Sequence, residues 1–175
     1  RALGGKVAVV ETDEIKALEA AFDGFRVGAL ETFLPWGDVF ITATGRDGVL
    51  PSAAVAGMRD GAILMNTGHF PWEIEVESLL ETATSTIDID GTLTRLNFDN
   101  GTHVVLVANG RMMNLAGSSP KGNSIESMDL GFTLQALSLE RVVQDKKLPH
   151  GAQPVPDGLN RRIAVMMLRA MGSDA

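Results

Sequence analysis

Three short stretches hold the residue types that could do chemistry. The first is Asn66-Thr67-Gly68-His69, which follows the all-apolar run Ala62-Ile63-Leu64-Met65. That run reads as a strand buried on both faces of a parallel sheet. Beyond the carboxyl end of such a strand, a Thr-Gly-His turn can offer backbone N–H groups and an imidazole to a bound molecule. A solvent-facing histidine in an ordinary strand-to-helix turn fits the same residues, and the stretch alone leaves both readings open. The second is Thr42-Ala43-Thr44-Gly45, again small and polar, closing the run that starts at Asp38. The third is Glu11, the acid at the end of Lys6-Val7-Ala8-Val9-Val10. A carboxylate there is an acceptor for ligand hydroxyls or simply a solvated acid ahead of a helix cap.

Bringing these turns to one rim requires alternating strands and helices. Arg1-Ala2-Leu3-Gly4-Gly5 reads as a helix end with a glycine stop, and Lys6 to Glu11 as a buried strand. Asp13 is placed to cap a helix from Glu14 to Phe22, with Ile15, Leu18 and Phe22 on one face and Gly24 as the stop. Phe25 to Leu30 is a short strand, Asp38 to Gly45 a second buried strand, and Ala53 to Arg59 a helical turn leading to the run at Ala62. The alternation predicts an α/β fold, a Rossmann-like parallel sheet with flanking helices, and sets both threonine turns on the same edge. In a dinucleotide-binding unit of this kind, the acid after the second strand accepts hydrogen bonds from ribose hydroxyls. A first strand and a G-x-G-x-x-G turn come before it. No such spacing occurs among the 19 glycines. The chain is therefore expected to be a fragment, or to take that strand and phosphate loop from another polypeptide.

Further along, Val76, Leu79, Leu80 and Ala83 favour a helix over an edge strand. Asn100-Gly101 between two apolar runs signals a hairpin. Ala116 to Asn123 is a loop of small and polar residues, a hinge or lid or else plain surface. A long helical stretch from Ile125 to Val142 is apolar most of the way round, which suggests burial between layers or against a partner. A Pro/Gly-rich connector, Leu148 to Asp157, leads to a final helix from about Leu159, striped by Met166, Met167 and Met171 as packing filler.

Composition bounds the partners. A charge of −7 without a Lys/Arg cluster argues against nucleic acid. There is no apolar run of membrane-spanning length and no secretory leader pattern, so a cytoplasmic protein is expected. No cysteine is present, and His69, His103 and His150 have no metal-ligand spacing, so no metal is expected.

The residues also carry a resemblance. E-T-D at Glu11, I-T-A-T-G at Ile41, M-R-D-G-A-I-L-M-N-T-G-H-F at Met58, N-G-R-M-M-N-L at Asn109 and M-D-L-G-F-T-L-Q-A-L-S-L-E at Met128 resemble, in collinear order, the carboxyl half of the S-adenosylhomocysteine hydrolase (adenosylhomocysteinase) family. The resemblance implies an NAD-binding domain over residues 1–115, a hinge loop over 116–123, and a carboxyl-terminal helical segment over 124–175 that returns to a substrate domain. It implies NAD as cofactor, held by Glu11, Lys16, Thr44, Thr67, Gly68, His69 and Asn114. Glu11 would sit on the adenosine ribose and Asn114 at the nicotinamide end. His69, near the reacting ribose, is the catalytic candidate. The implied reaction cleaves S-adenosylhomocysteine, or a related nucleoside thioether, to adenosine and homocysteine by transient 3′ oxidation. The implied partners are a small-molecule nucleoside substrate and either further copies in a homo-oligomer or the missing amino-terminal half as a separate chain.

Two features depart from the family pattern. Its Gly-His-Pro loop is represented here by Ser119-Pro120-Lys121-Gly122, with Lys121 at the histidine's offset. A lysine donates only, whereas imidazole donates and accepts. The chain also stops at Ala175, without the longer tail by which many members reach a neighbouring subunit's cofactor. The missing loop histidine, with the amino-terminal half expected to be missing, keeps a non-catalytic or regulatory NAD-binding paralogue open as an alternative. A D-2-hydroxyacid-type dehydrogenase is a second alternative, although such enzymes place Arg-Gly where Thr67-Gly68-His69 stands.

Overall fold

The computed structural model describes residues 4–118 and 120–172. Arg1 to Leu3 of the expected first helix end, and Ser119 of the loop, lie outside the described residues. The chain divides into two compact units, with the boundary between Lys121 and Gly122.

In the first unit, β1 (Ala8–Val9) pairs in parallel with β2 (Arg26–Val27), and α1 (Glu14–Phe22) connects them. The helix starts where the sequence says it should. Asp13 Oδ1 accepts from Ile15 N at 3.0 Å and Lys16 N at 3.1 Å, satisfying two of the four orphan donors of the first turn. The strand expected through Leu30 ends early, because Leu30 opens the short helix α2 (Leu30–Phe33).

A separate sheet contains β3 (Val39–Thr42), β4 (Ala62–Asn66), β5 (Ser85–Asp88), β6 (Leu93–Asn97) and β7 (His103–Val107), in the order β3-β4-β7-β6-β5. The first three in that order run parallel, whereas β5, β6 and β7 pair antiparallel. The sheet is thus Rossmann-like but mixed. Its two antiparallel pairings follow from two tight turns: between β6 and β7, at Asn100-Gly101, Phe98 N donates to Thr102 O at 2.9 Å with Gly101 at φ 81°, and between β5 and β6 Ile89 N donates to Leu93 O at 2.8 Å with Gly91 at φ 77°. A 3-10 turn over Ser52–Gly57 connects β3 to β4, and α3 (Val76–Thr82) precedes β5. Leu64, Leu79, Leu96, Val104 and Leu106 form the centre of the core at 0 or 1% exposure. Burial on that scale contributes on the order of 2 kcal/mol for each large aliphatic side chain.

Two strands read as buried are edges instead. Val7 and Val10 flank β1 at 42% and 47% exposure, and in β3 Val39 and Ile41 are 46% and 56% exposed, with only Thr42 buried. Each strand has a neighbour on one side only, and in β3 the exposed Val39 and Ile41 alternate with Phe40 and Thr42 onto one sheet face that stays uncovered among the described residues. The apolar face of α1 is likewise open, Phe22 being exposed.

The second unit is a helical pair, α4 (Ile125–Gln144) and α5 (Asp157–Ala170). Ile163 of α5 is buried, and Arg162 faces Glu140 at 3.9 Å. No residue of α4 is buried, so α5 does not cover the apolar stripe within the helical pair.

Candidate functional site

Strand pairing sets the rim. Thr42 at the end of β3 is level with Asn66 at the end of β4, and both chains turn immediately afterwards. Thr67 clamps the two turns together: its backbone N–H donates to Thr42 O at 2.8 Å, and its hydroxyl donates to the same oxygen at 3.1 Å.

Asn66, fully buried, uses every polar atom of its side chain. Its Oδ1 accepts from the Thr42 hydroxyl (3.1 Å) and from Gly68 N (2.6 Å), and its Nδ2 donates to the carbonyls of Phe70 (2.6 Å) and Gly110 (3.0 Å). One carboxamide therefore joins the tip of β3, the turn after β4 and the turn after β7. Asn66 also bridges Met112, and Met113 N donates to Asn66 O at 2.8 Å, which draws the segment leading to Asn114 against β4. The Asn114 carbonyl in turn accepts from Lys121 N.

Glu73 completes the network from beneath. It has 0% exposure and accepts three hydrogen bonds: from Thr44 N at 2.8 Å, from the Thr44 hydroxyl at 3.1 Å and from Gly45 N at 2.8 Å. Neither this role nor that of Asn66 as a hub was evident in the sequence, where Glu73 alternates with Ile74 and Glu75 like a residue on a solvated edge. A signal was present, since the one acid of the Phe70-Pro71-Trp72-Glu73-Ile74 run stands among apolar neighbours.

On the other side, Glu11 closes β1. Its Oε1 accepts from Thr12 N at 2.7 Å and Asp13 N at 3.0 Å, and these two amides hold the carboxyl below its ordinary range, with Lys16 adding attraction. Its second oxygen accepts no hydrogen bond among the described residues. Glu11 and the turn Thr42 to Thr44 line one cavity of about 530 Å³, whose other walls are largely apolar, including Val7, Val10, Leu30 and Val39. The cavity lies between the open edges of β1 and β3. Lys16 lies in the first turn of α1, near Glu11. Thr67, Gly68, His69 and Asn114 are not among the cavity's walls. His69 is exposed, its ring edge-on to Phe70 at 4.7 Å, and Phe70 stacks on Trp72 at 4.2 Å.

Residues 1–120 match the family profile described as S-adenosyl-L-homocysteine hydrolase, NAD binding domain. The chain belongs to the S-adenosyl-L-homocysteine hydrolase family. Over 98% of its length it is 44% identical to the S-inosyl-L-homocysteine hydrolase of Methanopyrus kandleri and 38% identical to the adenosylhomocysteinase of Sulfolobus acidocaldarius. It is also 38% identical to the adenosylhomocysteinase of Nostoc sp.. It spans about two fifths of the length of these relatives, covering 41%, 41% and 40% of them. Among the described residues no helix is long and apolar enough to cross a membrane.

NAD is the cofactor of this hydrolase-family domain. The residues suit it chemically. An ionised, acceptor-only group with an uncommitted oxygen stands at a strand tip, beside a cavity with apolar walls.

Proposed function

We propose that this chain is the NAD-binding part of an adenosylhomocysteinase-like hydrolase that splits a nucleoside–homocysteine thioether into its nucleoside and homocysteine. The observation that carries the reading is the shared rim. Glu11 and Thr44 border one cavity, and the turn from Thr42 to Thr44 is hydrogen-bonded to the turn bearing Thr67, Gly68 and His69 through the Thr42 carbonyl, which accepts from Thr67 N and the Thr67 hydroxyl. In this reading residues 1–115 form the NAD domain, 116–123 the hinge and 124–175 the segment that returns to the substrate domain.

Bound NAD would supply reversible hydride removal at the ribose 3′ carbon, which acidifies the adjacent 4′ hydrogen so that the carbon–sulfur bond breaks and homocysteine leaves as its thiol, water taking its place before the ketone is reduced again. The chain's own residues position and protect that chemistry. The free oxygen of Glu11 accepts from the adenosine ribose hydroxyls, and Lys16 balances the carboxylate. Thr44 borders the adenine side. Thr67, Gly68 and Asn114 orient the nicotinamide end, and His69 exchanges protons with groups of the reacting ribose. The open edges of β1 and β3, on either side of the cavity, suit a further parallel strand and phosphate-binding turn from the remaining three fifths of a full-length relative.

The relatives' names divide over the base, adenine or hypoxanthine, so the assay offers both thioethers. The full-length protein, incubated with S-adenosyl- and S-inosylhomocysteine, is expected to release homocysteine from at least one and to yield NAD on denaturation. A second reading, a non-catalytic NAD-binding paralogue, is favoured by the donor-only Lys121 at the position of a gating histidine. Retained NAD with neither thioether cleaved selects it, and restoration of turnover by Lys121→His would assign the loss to that loop.

A further inference from the structure

We propose that Glu73 is a positioning residue for the adenosine end of NAD: its buried carboxylate fixes the Thr44–Gly45 turn in the conformation that the cofactor meets. The inference rests on the reading that this turn borders NAD, and deepens it by naming the group that shapes the turn from the protein side.

The geometry is specific to a carboxylate. Thr44 N and Gly45 N, adjacent amides, point at the two oxygens of one group, Oε2 and Oε1, each at 2.8 Å, and the Thr44 hydroxyl adds a third donor to Oε2. A carboxamide of the same shape has one acceptor and one N–H donor, so one of the two amides would face a donor. Among the described residues no cation pairs with Glu73, which is fully buried. Desolvating an acid without a counter-charge is costly, and hydrogen bonds alone offset that cost here. What the arrangement provides is position. Gly45 is held at φ +70°, the left-handed region, with nothing within 4 Å of where a side chain would begin. Both turn amides and the Thr44 hydroxyl are spent on Glu73, so what the turn presents to a ligand is a surface of fixed shape, with Ala43 and Thr44 on the cavity wall. The same carboxylate fills the space beside Gly68, where a Cβ would lie 1.6 Å from Oε1, so Glu73 sets the turn after β3 against the turn after β4.

The test uses the full-length protein as wild type, Glu73→Gln and Glu73→Asp. Dissociation constants are measured for NAD, for ADP-ribose as the adenosine half, and for nicotinamide mononucleotide as the other half, alongside melting of the ligand-free protein. Glu73→Gln is expected to weaken NAD and ADP-ribose together, by roughly tenfold or more, from the loss of a charge-assisted hydrogen bond. Nicotinamide mononucleotide, which does not meet the Thr44–Gly45 turn, should lose less affinity than ADP-ribose. Glu73→Asp, too short to reach both amides, should behave alike. Lower melting temperature with unaltered ADP-ribose binding would overturn the proposal, as would failure of both variants to fold, which would make Glu73 a folding residue. Wild-type protein that binds no NAD would instead refute the functional reading itself.

Discussion

Gly68→Ala is expected to destabilise the protein by about 3 kcal/mol, a typical overpacking penalty joined to loss of buried hydrogen bonds. The backbone is not the reason, for Gly68 does not have a positive φ. Space is the reason. An alanine Cβ would lie 1.6 Å from Glu73 Oε1 and 3.0 Å from Asn66 Oδ1. Both are buried polar atoms already committed, to Gly45 N in one case and to the Thr42 hydroxyl and Gly68 N in the other. Moving the carboxylate aside frees the Thr44–Gly45 turn, so NAD affinity should fall with stability. A double-mutant cycle by denaturant unfolding checks the mechanism, because neighbours that share a cavity couple. Where Glu73 is already alanine, Gly68→Ala should cost at least 1 kcal/mol less than in the wild type. Additive penalties would contradict the steric account.

Glu11→Ala is expected to weaken NAD binding roughly 10- to 100-fold, the range for hydrogen bonds to a charged acceptor. Discrimination against NADP should collapse as well, because the repulsion of a 2′-phosphate disappears with the carboxylate. Glu11→Gln keeps the shape, loses the charge, and should fall between. The pH dependence has a definite sign. The amides of Thr12 and Asp13 hold the Glu11 carboxyl below its ordinary range, so it is ionised across neutral pH and remains so into mild acid. NAD affinity should be level with respect to this group near neutrality and decline only once pH drops through that lowered value. Titration calorimetry with both dinucleotides over a pH series measures all of this. Equal loss for NAD and NADP in Glu11→Ala would remove Glu11 from the ribose.

Much of the scaffold was legible because local signals agreed with one another. Asp13 followed by apolar residues at helical spacing defined α1. Ala62 to Met65 between turn residues defined β4, and Asn100-Gly101 marked the hairpin. Edge status was not legible. An apolar run such as Val39 to Ile41 records that a strand has surface to cover, whereas the neighbour that covers it is a property of the sheet, and β3 has none on one side. The helix α4 has the same character, an apolar stripe with no buried residue in this chain. Of the site, the turns stood out through their small polar residues, but Glu73 did not. It lies 29 residues from Thr44 in sequence, and its apolar neighbours hint at burial without naming the partner, whereas Glu77 four residues on is exposed. Lys121 was visible only against the motif it departs from.

The central claim is that one dinucleotide spans the tips of β1, β3 and β4. A crystal structure of the full-length protein with NAD tests it most directly. The expected result has the adenosine ribose hydroxyls on the Glu11 carboxylate and the dinucleotide passing Thr44 to reach Thr67, Gly68 and His69. A cofactor seated away from Glu11, or one leaving the turn after β4 untouched, would contradict the account.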